Sequence, residues 1–354
     1  MEKIAIYGAK SLALGTCMAI RELYPECQLY GFIVKSLKGN PHKLAELSVH
    51  ELHTVKDKNM HILIATPENL HQAIVADLQY AGFSRYTCMN SQKESLLMER
   101  YFAKIGRFRS LHTFLHGKYG ANLCVYMARF HKDSILQKTL EKPDWLIPVQ
   151  AGAALTELRL EEIADDQGEN ISIKNVNYSE LTVLYWMWKN KLMSNDQKKA
   201  DYYGLCHYRR MLDIHRDDIC CLMNNRIDVI LPFPLLHAPN ILEHHTRYIK
   251  EEDWKAMYMA LEELQPEYAR VFDEIFKQPY FYNYNIIIAK TNVMKDYCSW
   301  LFPILERTEE LSNPKGWERA DRYIGYLGEN LLTLYFIYHM NDLQIAHTGC
   351  NMLL

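Results

Sequence analysis

The segment DYYGLCHYRRMLD, residues 201–213, joins an apolar run to His207, Tyr208, Arg209 and Arg210. Strand alternation predicts His207 and Arg209 on one face, with Tyr208 and Arg210 on the other. Two guanidinium groups at the end of a buried strand need anionic partners, because burying an unpaired charge is costly. Two kinds of partner fit. One is an internal carboxylate such as Asp213 or Asp228. The other is a ligand diphosphate, whose oxygens suit the planar fork of arginine.

The densest polar stretch is residues 165–180, DDQGENISIKNVNYSE. Its amides and carboxylates can grip hydroxyl-rich sugars and riboses through two hydrogen bonds at a time. Asp165, Asp166, Asn170, Lys174, Asn175, Asn177 and Glu180 are therefore expected to bind a ligand. Ser179 or Asn177 is placed to cap the helix that follows, whose open N-terminus would attract phosphate. The alternative is a loop held together by Asx-turns and caps.

Two aromatic and amide-rich strings lie further on. In PYFYNYNIIIAK, residues 279–290, Tyr282, Asn283 and Asn285 suggest a surface for a second, sugar-like ligand, with Asn283 and Asn285 on one strand face. Rings cover apolar sugar faces and amides take hydroxyls, although Tyr282 and Tyr284 fit a packed core equally well. In WERADRYIGYLGENLL, which begins at residue 317, Asp321 and Glu329 flank a helix start. Either carboxylate could take a proton from a hydroxyl nucleophile. Glu329 could instead serve the helix dipole. His347 stands alone near the end of the chain, a setting in which histidine is usually structural. His244-His245, beside Glu243, could hold a metal but reads rather as a polar flap after the strand DVILPFP, and His347 has no H-x-H, H-E-x-x-H or carboxylate pair nearby.

These groups need a scaffold to position them. Residues 1–105 alternate strand and helix patterns (KIAIYG, SLALGTCMAIREL, QLYGFIV, HILIAT, PENLHQAIVADLQYAGF), which predicts a small parallel sheet covered by helices. A basic helical connector is expected over 106–120, followed by a larger α/β domain over 121–354. At 354 residues the chain can hold two cores. Its net charge of −3 argues against a nucleic-acid partner. The nine scattered cysteines read as reduced thiols. With no signal layout and no apolar run of spanning length, a cytoplasmic location is expected. Residues 101–150 carry eight Lys or Arg against three Asp or Glu, which leaves open a peripheral contact at the inner membrane face.

The first turn, Gly8-Ala9-Lys10-Ser11, keeps only one glycine of a dinucleotide fingerprint. The second strand ends in Val34-Lys35-Ser36, without the acidic residue that would hold an NAD ribose. An NAD-dependent oxidoreductase is accordingly disfavoured.

VQAGAAL, the DDQGENIS to WKN block, YYGLCHYRR, DVILPFPLLHAPN, YFYNYNIIIAK and RYIGYLGENLLTLYF recur in this order in one family. Over residues 122–350 the chain resembles an uncharacterised glycosyltransferase family encoded in bacterial capsule, O-antigen and exopolysaccharide gene clusters. The resemblance implies a GT-A-like nucleotide-sugar-binding domain, preceded here by a Rossmann-like accessory domain. It implies transfer of a sugar from a nucleotide donor, UDP-galactofuranose in some members, to a glycan or lipid-linked glycan acceptor. By the same resemblance, His207-Tyr208-Arg209 occupies the place of the metal-binding Asp-x-Asp. Glu329 corresponds to the base of inverting enzymes, and the YNYNIII strand to the acceptor side, which brings Tyr282, Asn283 and Asn285 into the acceptor set, to which His347 is added as a further expected acceptor contact. No metal ligand set is expected, a divalent ion being compatible but not indicated. A non-catalytic nucleotide-sugar-binding scaffold is the alternative class.

Overall fold

A computed structural model describes residues 2–134, 142–194 and 199–352. The first sheet contains β1 (Lys3–Tyr7), β2 (Gln28–Val34), β3 (Lys43–Leu44), β4 (Leu47–Glu51), β5 (His61–Ile64) and β6 (Tyr86–Cys88). Its order is β3-β4-β2-β1-β5-β6, parallel throughout except for the β3–β4 pair. Helix Ser11–Leu23 packs against helix Ser91–Lys104 on one face. The apolar runs KIAIY and HILI are almost wholly buried, as expected for parallel strands covered by helices.

The helix expected over 106–120 does not form. Helix Ser91–Lys104 stops at Gly106, which takes a positive φ of 67°. Beyond it, only a single 3-10 turn, Leu111–Thr113, is regular. Glycine adopts the left-handed conformation that ends a helix at low cost.

The second sheet is mixed. Its strands are β7 (Leu123–Arg129), β8 (Leu146–Gln150), β9 (Tyr202–His207), β10 (Arg210–Leu212), β11 (Val229–Pro232), β14 (Ile287–Lys290), β15 (Ile345–Thr348) and β16 (Cys350–Met352). A separate short ribbon pairs β12 (Leu235–Leu236) with β13 (Tyr280–Phe281). Within the main sheet, β7 runs parallel to β8 and β9, and β11 parallel to β15. Strand β14 is antiparallel to both β9 and β11. Strand β9 is thus central, flanked by β7 and β14, and it delivers His207 at its end. Gly204 makes this packing possible. A Cβ there would stand 2.8 Å from the Ile287 carbonyl oxygen and 2.6 Å from Ile288 Cγ1.

Helices Leu181–Met187, Glu251–Leu264, Pro266–Phe276, Thr291–Leu311 and Tyr323–Tyr338 bury their apolar faces in one large core beside this sheet. The two sheets are joined by packing. Leu236 lies in the core of the first sheet with Phe32 and Phe102, and Phe102 stacks on Phe233 at 5.6 Å. Among the described residues, no helix is long and apolar enough to cross a membrane.

Candidate active site

A cleft of about 1220 Å³ opens between the two sheets. One wall holds His207, Tyr208, Arg209 and Arg210, and faces Glu180 and Glu329. Strand β9 stops at His207 and turns at once, so that Arg210 pairs back with His207 as β10 begins. The expected alternation therefore fails. The turn, not a continuing strand, brings all four residues to the cleft.

Neither Asp213 nor Asp228 neutralises these arginines. Asp228 binds Lys290 at 2.8 Å, and Asp213 accepts from Asn351 at 2.8 Å. Among the described residues, no carboxylate lies within ion-pair distance of Arg209 or Arg210. Arg209 Nε is buried with no hydrogen-bond partner. The Arg210 guanidinium lies over the Tyr284 ring, 4.0 Å from its centre. The carboxyl of Asp133, also in the cleft wall, is raised by burial against the opposing effect of the Phe130 amide and the charges of Arg129, His207 and Arg209, and it forms no ion pair with Arg209 or Arg210.

The two glutamates differ in their surroundings. Glu180 is buried, accepts a hydrogen bond from Asn285 Nδ2 at 2.7 Å, and lies 3.6 Å from His207 Nε2. His207 Nε2 also donates to the Tyr284 carbonyl at 2.7 Å. Burial alone would raise the Glu180 carboxyl. His207 and the Asn285 hydrogen bond more than offset it, holding Glu180 below the usual carboxylate range. Glu329 goes the other way. Burial, reinforced by the negative charge of Glu180, pushes it up to about 8 against the opposing effect of the Tyr284 amide, Arg210 and Arg322. One carboxylate is ionised and its neighbour holds a proton near neutral pH, the asymmetry that separates acid and base roles.

Two glycines of helix Tyr323–Tyr338 allow this approach. A Cβ on Gly325 would meet Ser179 Oγ at 3.3 Å, and one on Gly328 would stand 2.6 Å from Leu181 Cδ1. The loop before β14 is likewise specialised. Tyr284 and Asn285 have φ of 70° and 49°, so Asn283 and Asn285 do not share a strand face as expected. Asn283 lines the cleft. Asn285 is buried behind Glu180 and orients it.

Other residues expected in the site do different work. Asp165 is fully buried and accepts from the Gly152 and Ala153 amides at 2.8 and 3.0 Å, and from the Ser172 hydroxyl. It clamps the turn after β8, outside the cleft lining. Asp166 pairs with Arg159 at 2.7 Å, and Asn170 shapes its own loop through the Asp166 and Gly168 carbonyls. Lys174 binds Glu309 at 2.6 Å. Asn177 donates to the Gly316 and Arg319 carbonyls and accepts from the Asp321 amide, stapling two loops. Neither it nor Ser179 caps helix Leu181–Met187. From the polar loop, Asn175 and Glu180 reach the cleft, accompanied by Val176 and Ser179. The Asx-turn alternative thus describes most of this segment.

Asp321 is outside the cleft lining. It is held by Arg319, which also forks onto buried Asp253, and Arg319 and Lys250 help keep its carboxyl below the usual range despite burial. Tyr282 and His347 are core residues, joined by a 2.8 Å hydrogen bond between the tyrosine hydroxyl and His347 Nε2. Burial drives His347 down to about 3, so it stays neutral. The lone-histidine reading describes it better than acceptor contact.

Other cleft residues lie outside the expected set of site residues. Arg322 takes φ 64° and donates to Ser179 Oγ at 3.0 Å, and Asp133 follows a β7 strand with no polar motif. His244 is not a flap residue: it is buried against His237 at a ring separation of 4.0 Å. The end of β9 does not present a divalent-metal donor set. His207 Nε2 is committed to a carbonyl, and guanidinium groups are not ligands. Among the described residues, the convergent metal-type cluster is His116, Asp218 and Cys221, outside the cleft lining.

The chain belongs to the family described as a domain of unknown function (DUF4422), whose model matches residues 125–341. No curated protein matches it. Its α/β fold, with parallel strands in both sheets, is similar to a GT-A-like glycosyltransferase structure, the apo form of the bifunctional glycosyltransferase WbbM. The two are 26% identical, with a TM-score of 0.56, over 66% of this chain. The chain spans 45% of the length of WbbM. Two weaker matches are yvaA of Bacillus subtilis, described as an oxidoreductase (14% identity, TM-score 0.20, 39% of this chain and 48% of that one), and core-mannan synthase A of Aspergillus fumigatus in a Mn/GDP form (10%, 0.23, 99% and 74%). Both fall below the similarity from which a shared fold can be read.

Proposed function

We propose that the protein is a glycosyltransferase that moves a sugar from a nucleotide donor to a growing bacterial surface glycan or exopolysaccharide. The observation that carries this reading is the pairing of two arginines lacking a carboxylate partner with an unequal carboxylate pair in one cleft. Arg209 and Arg210, with His207 beside them, receive the donor diphosphate, the two guanidinium groups being preorganised cations where negative charge grows on the leaving group. Glu329 takes the proton from the acceptor hydroxyl. That oxygen attacks the anomeric carbon as the carbon–oxygen bond to the diphosphate breaks, giving inversion. Glu180 stays ionised, orients His207 and tunes Glu329. Asn283, whose side-chain oxygen has no partner among the described residues, offers its amide to sugar or ribose hydroxyls from the cleft wall, whereas the Asn175 amide is spent on Ser179 and Thr182.

The donor is a UDP-sugar in this reading, with UDP-galactofuranose among the candidates, and the acceptor is a glycan or lipid-linked glycan. Because the β9 end does not fit a divalent ion, no step is assigned to a metal. A thermal-shift panel of UDP-sugars, other nucleotide sugars and NAD, with and without EDTA, tests the proposal. A nucleotide sugar should raise Tm equally in EDTA, and NAD should not. Stabilisation by NAD alone would overturn the reading, and stabilisation requiring manganese would overturn its metal-free form.

A further inference from the structure

The cleft is larger than the His207–Arg210 and Glu180–Glu329 groups account for, and its far wall is the first sheet. Gly8, Lys10, Ser11, Val34, Lys35 and Thr66 line it. These residues stand at the carboxyl ends of β1, β2 and β5. The strand order reverses between β1 and β5, which is where open α/β sheets take ligands. Gly8 takes a φ of 120°, and a Cβ there would stand 2.7 Å from the Ala65 carbonyl oxygen, so the turn admits no larger residue without displacement. The 13-residue helix Ser11–Leu23 begins here with no side-chain cap and no acidic residue in its first turn. Its free amides and positive dipole end point to an anion. Lys10 is exposed, and among the described residues it has no carboxylate within ion-pair distance. Its neighbour Lys35 is paired with Asp77 at 2.9 Å.

An independent observation comes from the other domain. His237 and His244 line the same cleft, are each 5% exposed, and have all four ring nitrogens without a hydrogen-bond partner. Burial, and then the charges of Arg247 and Lys10, lower His244 to about 4, and Lys10 lines the same cleft. The positions are fixed, because Leu236, the residue before His237, is buried in the core of the first sheet. Neutral imidazoles donate hydrogen bonds, and buried polar nitrogens in native proteins almost always have partners.

We infer that Lys10, the amino end of helix Ser11–Leu23, His237 and His244 form a second phosphate subsite, separate from Arg209 and Arg210, for the phosphate or diphosphate of a phosphorylated acceptor. The inference rests on the glycosyltransferase reading for its acceptor, but the phosphate subsite can be tested alone. The first sheet is then a working wall of the site, one that needs no ribose-binding acid.

Calorimetry with inorganic pyrophosphate, in the absence of UDP and again with UDP at saturation, tests it. Pyrophosphate should bind in both cases, and the ring nitrogen resonances of His237 and His244 should shift. Lys10→Ala should weaken pyrophosphate at least tenfold while UDP affinity stays within twofold. Arg209→Ala should weaken UDP at least tenfold and leave intact the pyrophosphate binding that persists in wild type at saturating UDP. Complete loss of pyrophosphate binding at saturating UDP would show one shared site, and a donor tail instead of an acceptor, and would overturn the inference. Unchanged pyrophosphate affinity in Lys10→Ala would also overturn it. Failure of UDP to bind would count against the proposed function alone, because the Lys10→Ala titration and the His237 and His244 resonances still decide the subsite.

Discussion

Asn285 donates its side-chain amide to Glu180 at 2.7 Å, from a residue held in the left-handed region with φ 49°. This contact helps to keep Glu180 ionised, and the charge on Glu180 in turn helps to keep a proton on Glu329. Two carboxylates from distant parts of the chain thereby acquire different chemistry from their neighbours.

If Glu329 is the base, kcat/KM must rise as Glu329 loses its proton, with the ascending limb near pH 8 in the free enzyme. Glu180→Gln removes a negative neighbour and should move that limb to lower pH. Glu329→Gln should abolish the limb together with turnover. A pH–rate profile that is flat from pH 6 to 9 would remove Glu329 from this role.

The same proton makes stability depend on pH. The folded-state value of Glu329, about 8, lies above its ordinary value of 4.5. Its contribution is therefore fully present below pH 4.5 and is lost as pH rises through 8. Relative to Glu329→Gln, the wild-type protein should lose Tm steadily between pH 5 and pH 8.5. Parallel Tm curves for the two proteins would contradict the raised value.

Asp165 and Asp166 are neighbours with opposite expected effects. Asp165→Ala leaves the amides of Gly152 and Ala153 and the hydroxyl hydrogen of buried Ser172 without acceptors. At about 1–3 kcal/mol for each unsatisfied group, denaturant melts should show a loss of at least about 3 kcal/mol. Asp166→Ala removes a pair whose arginine is 54% exposed, and should cost about 0–1 kcal/mol. Equal losses would mean that the buried clamp does not carry the turn.

The sequence made the strand-rich scaffold readable where apolar runs were long, as in KIAIY, QLYGFIV, HILI and YYGLCH. It also brought out His207, Arg209 and Arg210, because charge at the end of an apolar run is conspicuous, and Glu180 and Glu329 as carboxylates of a polar loop and of a helix start. It misled where polar side chains satisfy backbone groups. Asp165, Asn170 and Asn177 resemble ligand residues in composition, yet their hydrogen bonds are spent inside the protein. Backbone turns were equally hidden. Positive φ at Tyr284, Asn285 and Arg322, none of them glycine, depends on tertiary contacts that no local pattern encodes. The far wall formed by Gly8 and Lys10 could not be read, because it depends on how the two sheets meet.

The most direct test of the account is nucleoside diphosphate release from a panel of nucleotide sugars by wild-type protein, Arg209→Ala and Glu329→Gln. The wild type should turn over at least one UDP-sugar. Arg209→Ala should lose about 10²–10³-fold in turnover with little change in Tm, and Glu329→Gln should still bind the donor but not turn it over. Wild-type rates in Arg209→Ala, or no turnover of any nucleotide sugar by the wild type with or without glycan acceptors, would contradict it.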